Sequence, residues 1–203
     1  MSTVPQAIRL GDLCAIQLGY TPRGALSPAE TGGAPAIQLR DLAGDGPIRP
    51  TRYELGEVSP RYLTEPGDVL FRSRGDRNTA VATDGRLVEP AFAILPIVVL
   101  RPKRDLVEPR YLAWAINQMP AQLYFDGVAR GTRLRMVPRS EFEKLMIDVP
   151  DLKTQRAVVE LDALAAREEA LATLAAQKRR QLISLVLTER VQASGQGRRG
   201  KTT

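Results

Sequence analysis

The chain has 203 residues, a formal net charge of +6 and an apolar fraction of 43%. That size holds one medium domain with an appendage, and that composition supports a packed core. Cys14 is the only cysteine and there is no histidine, which excludes a disulfide framework, a Cys-rich zinc site and His-based acid–base or triad catalysis.

Residues 7–18 predict an extended lead-in, AIRL and LCAIQL, interrupted by the turn pair Gly11-Asp12. Gly19 to Gly33 reads as a loop exposing Tyr20 and Arg23. Residues 36–40 predict a strand. Val69 to Arg74 and Thr79 to Thr83 predict a hairpin across Gly75-Asp76-Arg77-Asn78. Its alternation sets Arg72 and Arg74 on one face and Phe71 and Ser73 on the other. Residues 91–95 and 97–101 form a second apolar strand region that Pro96 must bend. Pro109 to about Phe125 predicts a helix kinked or restarted at Pro120. Ser140, with Glu143 three residues on, predicts a capped helical turn. Residues 146–150 predict a last short strand.

From Asp151 to about Val191 there is no Gly or Pro. Leu161, Leu164, Leu171, Ala175, Leu182 and Leu185 fall on a 3-4 spacing interrupted by Glu168 and Lys178, the seam of a coiled coil. A helix of that length needs a partner helix, and the chain offers no second one. The division expected is a domain over 1–150, a spacer and dimerisation helix over 151–191, and a basic disordered tail over 192–203.

Two segments concentrate side chains that pair with phosphates and base edges. The first holds Arg72, Arg74, Arg77, Asn78 and Thr79. The second holds Arg130, Thr132, Arg133 and Arg135 around Gly131. Either segment alone reads better as a solvated charged turn, but two of them in a basic chain favour nucleic acid. Arg40 reads equally well as a strand-end ion pair with Asp41 or Glu54. Asp68, Asp76 and Asp84 read as turn residues rather than metal ligands. There is no Gly-rich phosphate loop. No apolar run is long enough for a membrane span and the N-terminus has no signal-peptide pattern, so the expectation is a cytoplasmic protein with no membrane partner.

The order and spacing of several motifs resemble one half of the DNA specificity (S) subunit of prokaryotic type I restriction–modification systems. They are Leu10-Gly11-Asp12-Leu13, Gly19-Tyr20-Thr21-Pro22, Pro66-Gly67-Asp68-Val69-Leu70-Phe71 with the basic hairpin, Pro109-Arg110-Tyr111-Leu112, Gly131-Thr132, and the run from Ile147 to Arg156. Thr154 stands where that family usually has Glu. The resemblance implies an α+β (mixed α/β) target recognition domain followed by one long C-terminal coiled-coil helix. It implies a non-catalytic subunit that binds double-stranded DNA and holds no cofactor itself. Adenine DNA methyltransferase subunits would carry S-adenosylmethionine, and a restriction or translocase subunit would be a further partner. Complete S subunits have two such halves, so the single half here implies a homodimer on a bipartite site. Two other readings stay open: an adaptor or antagonist of the methyltransferase complex that uses this fold without reading DNA, and a metal-dependent nuclease.

Overall fold

The computed structural model describes residues 5–44, 46–75, 78–131 and 135–199, with only the backbone described for 192–199. It divides into two units, Met1–Val159 and Glu160–Thr203.

The first unit opens with strand β1 (Gln6–Arg9), the single helical turn α1 (Leu10–Leu13) and β2 (Cys14–Leu18). The expected Gly11-Asp12 turn is thus helical, and its Leu10 and Leu13 are fully buried. β3 (Ala34–Ile37) ends earlier than expected, because a 3-10 turn takes residues 39–42. There Asp41 and Gln38 cap one another, which satisfies backbone groups that a longer strand would have paired. β4 (Thr51–Tyr53), β5 (Leu63–Thr64), β6 (Val69–Arg72), β7 (Ala80–Ala82), β8 (Ala91–Ala93) and β9 (Ile97–Pro102) follow.

The strands form two four-stranded sheets and one strand pair. One sheet has the order β2-β9-β6-β7 and is antiparallel throughout. The other has the order β4-β3-β8-β5, with β3 and β8 parallel. Pro96 divides the apolar region as expected: β8 and β9 lie on either side of a cis Leu95–Pro96 bond and join different sheets. β1 pairs with β10 (Met146–Val149), which brings the start of the unit to its end.

Two helices lie between β9 and β10. α2 (Pro109–Asn117) stops at Gln118, and α3 (Met119–Val128) restarts with Pro120 in its first turn, where the missing N–H costs nothing. α2 and α3 bury Tyr111, Leu112, Ile116, Ala121 and Phe125 in the larger core, beside Phe71 and Phe142. Those rings are close: Phe71 and Phe142 stack at 4.1 Å and Phe71 meets Phe125 at 5.2 Å. A second core fills the opposite face of β6 and β9 with Leu70, Ile97 and Val99, against Ile37, Leu42 and Ile48. Alternation along β6 therefore feeds two cores, Phe71 one and Leu70 the other. The turn α4 (Arg139–Phe142) begins after Pro138, so Ser140 sits inside it rather than at its cap, and no side chain caps it. The expected Ser140 cap is corrected on that ground: the fixed φ of Pro138 starts the turn two residues early. Cys14 is buried, and that burial pushes its thiol up to about 12, so it stays protonated and inert.

Helix α5 (Leu152–Arg199) begins inside the first unit. Asp151 caps it, accepting from the backbone N–H of Lys153 and Thr154 and from the Thr154 hydroxyl at 2.8 Å. The Thr154 bonds hold the Asp151 carboxyl below its ordinary range. Thr154 here joins the cap directly. Gln155 is fully buried and every polar atom is used. Its amide donates to the carbonyls of Leu106 (3.0 Å) and Pro150 (2.7 Å), and its oxygen accepts from Glu108 N–H (2.8 Å). One side chain thus ties the start of α5 to the start of α2. Gln155→Leu keeps the volume and strands three backbone groups. We expect a loss of about 3 kcal/mol in denaturant unfolding. A loss under about 1 kcal/mol would mean that water reaches those groups.

The second unit is the rest of α5. The described side chains of residues 160–191 are all exposed. The helical backbone continues past 191 through Gly195 and Gly197 to Arg199, so it covers much of the segment expected as a disordered tail. Residues 200–203 of that segment lie outside the described residues. Among the described residues no helix is long and apolar enough to cross a membrane.

Candidate nucleic-acid interface

The antiparallel sheet collects four loop attachments at one end. Leu18 ends β2 opposite Val98, Arg72 ends β6 opposite Ile97, and Ala80 begins β7 opposite Phe71. The loop after β2, the hairpin tip and the turn before β9 therefore emerge together.

The structure adds the second arginine segment to this end. Met136 bridges both Arg74 and Arg130. Gly75 N–H donates to the Arg135 carbonyl at 3.2 Å, and Val137 N–H to the Ser73 carbonyl at 3.1 Å. Segments some sixty residues apart in sequence become one surface. Gly75 and Gly131 make these turns with φ of 120° and 106°, which side-chain-bearing residues avoid.

The predicted contacts differ in how free they are. Arg74 is exposed, and among the described residues its guanidinium hydrogen-bonds only Met136 Sδ, at 3.8 Å. Arg130 is exposed, with no side-chain bond among the described residues. Arg135 is exposed and held by Asp126, through an ion pair at 3.2 Å and a bond to the Asp126 carbonyl. An exposed pair of that kind is worth little and exchanges readily. Arg72 is half-buried, and its Nε is shielded from water with no hydrogen-bond partner among the described residues. A shielded unpaired donor is costly, and an incoming acceptor oxygen would relieve it.

Asn78 is buried and its amide donates to the Arg72 carbonyl at 3.0 Å, while Gln122 donates to the Asn78 carbonyl at 2.9 Å. Asn78 therefore shapes the hairpin. Thr79 is half-buried and its carbonyl accepts from Arg72 N–H. Arg77, Thr132 and Arg133 lie outside the described residues.

Tyr20 is half-buried. Its backbone joins the turn at Ala93 and Leu95, and its ring meets Tyr62 edge-on at 5.5 Å, with Arg61 over the far ring at 4.7 Å. Arg23 is exposed on a cleft of about 530 Å³ that also carries Glu54 and Glu57, so the charge there is mixed. Arg40 bonds the Tyr53 hydroxyl and lies 3.7 Å from Asp41, the ion-pair alternative. Asp68 is buried against Arg101 at 3.3 Å; burial raises its carboxyl above the ordinary range. Asp84 lies 3.8 Å from Arg104, and Asp76 is outside the described residues. Among the described residues no group of three or more metal-ligating side chains gathers.

On α5 the predicted seam is open. Leu161, Leu164, Leu171, Leu182 and Leu185 are each more than half exposed. Ala175, Glu168 and Lys178 are exposed as well, Lys178 touching Gln181 at 3.4 Å. The seam reading missed a second apolar line, Ile183 and Leu187, which the i, i+4 spacing already contained.

This architecture matches solved structures of type I restriction–modification proteins. The HsdS subunit of Thermoanaerobacter tengcongensis aligns with a TM-score of 0.60 at 21% identity, over 84% of this chain and 40% of that one. A chain from a structure of the type I system that addresses its complex assembly and conformational transition aligns with a TM-score of 0.63 at 21% identity, over 91% and 44%. The S subunit of M. genitalium aligns with a TM-score of 0.55 at 16% identity, over 83% and 41%. No family model and no curated protein matches the sequence. At these identities the likeness is one of fold. The chain spans less than half of each of those structures, and it has the fold of half an S subunit: an α+β unit followed by a long helix.

Proposed function

We propose that this chain is a half-length specificity subunit, which binds duplex DNA and directs an adenine methyltransferase to a bipartite site. The observation that carries this reading is the joining of the two arginine segments at one end of a sheet in an S-subunit-like unit. Among the described residues Arg74 and Arg130 are the freest cations there, Arg72 Nε has no hydrogen-bond partner, and Arg135 can leave its surface ion pair. The open seam of α5 would pair with the same helix of a second copy, which sets two identical readers on a split palindrome. S-adenosylmethionine and the methyl transfer belong to the partner subunit.

Co-expression with the methylation subunit of a type I system from the same genome tests this. Mapping of methylated adenines is expected to give a split palindromic site. An asymmetric site would replace the homodimer with a different second half. Absence of methylation would sink the reading.

A further inference from the structure

Beside the joined arginine segments lies an apolar pocket of about 250 Å³. Its mouth is formed by Leu18, Leu95 and Met136, all about two-fifths exposed, and its floor by the buried Phe71, Val98 and Phe142. Arg74 and Arg139 flank it. Two polar groups at the mouth are already engaged, which leaves Arg74 as its exposed cation. Ser73 Oγ donates to the Pro96 carbonyl at 2.7 Å, and Arg139 Nε is on Glu143 at 2.6 Å.

Three apolar mouth residues beside Arg74 and the joined arginine segments fit a ligand that is anionic outside and apolar at one point. Duplex DNA has one such group on its base edges, the C5-methyl of thymine, which projects into the major groove. An extruded base fits less well, because most of its hydrogen-bonding edge would face the apolar floor of Phe71, Val98 and Phe142. A protein's apolar side chain does not account for the cationic rim. We propose that the pocket receives the methyl edge of a thymine, so that Leu18, Leu95 and Met136 set a requirement for T at one position of each half-site. This rests on the DNA-reading function proposed above.

The test uses the full chain. A preferred duplex is selected from a random pool, and each dT is then replaced by dU, which removes only the methyl group. One dU per half-site is expected to weaken binding about fourfold, the equivalent of about 0.8 kcal/mol for one buried carbon. Met136→Ser and Leu18→Ser, both at exposed positions, are expected to bind the dT and dU duplexes equally and to keep the salt dependence. The inference is overturned if a sequence is selected but no dT position is sensitive to dU. It is also overturned if sensitivity survives in both variants, or if the variants lose only the methyltransferase subunit. Failure to select any sequence would overturn the DNA-reading function itself, and this inference with it.

Discussion

Arg74→Ala combined with Arg130→Ala lowers duplex-DNA affinity about 100-fold at physiological salt, as expected if each loses a contact worth roughly 1–3 kcal/mol. The two residues come from different segments, and the backbone of each bridges to Met136. Among the described residues neither pairs with an acid, so both are available to phosphate or to a guanine edge. If both hold phosphate, the slope of log affinity against log salt falls by about 1.8. If one reads a base, the slope falls by about half that and the preferred sequence relaxes at one position. Arg52→Ala is the control, since Arg52 is already bound to Glu89 at 2.7 Å and to the Gly33 carbonyl. An unmodified chain that binds no duplex at low salt would favour the adaptor reading instead.

Local signals in the sequence carried the hairpin and the helices. Val69 to Phe71 is a short apolar run followed by turn residues, so β6 and β7 pair as expected. Pro120 restarts a helix because its geometry suits a first turn. Contacts between distant segments were not legible. Nothing in residues 130–137 announces that they will bond to residues 73–75, because such pairing depends on α2 and α3 returning the chain to the sheet end. The parallel pairing of β3 with β8 is hidden for the same reason. Asn78 shows a different limit. Asparagine serves both base edges and tight turns, and only burial reveals that this one supports the hairpin. Leu18, Leu95 and Met136 left less trace: the first two stand in apolar strand segments and the third follows the second arginine segment, and only the fold gathers them. The motif around Gln155 was legible as a pattern, and its reason is structural. It unites three backbone groups at the root of α5.

Leu164→Asp with Leu171→Asp converts a self-associating chain to a monomer without unfolding the first unit. Both leucines are highly exposed, so the single chain loses little by the change. In a two-fold pair each position counts twice. Burying a leucine is worth about 1.5–3 kcal/mol, so four lost leucines remove roughly 6–12 kcal/mol, enough to abolish a micromolar dimer. Sedimentation across a concentration series measures this, with circular dichroism and thermal unfolding of the first unit unchanged. Register is a finer matter. In an antiparallel pair centred between residues 168 and 178, Glu168 of one copy meets Lys178 of the other, twice. Glu168→Lys is then expected to weaken the pair about tenfold, since each exposed pair is worth roughly 0.2–1 kcal/mol and like charges repel by a similar amount. Adding Lys178→Glu restores it. Equal association of the single and double charge variants would rule out that register, and a monomeric unmodified chain would require that a different half-subunit supply the second helix.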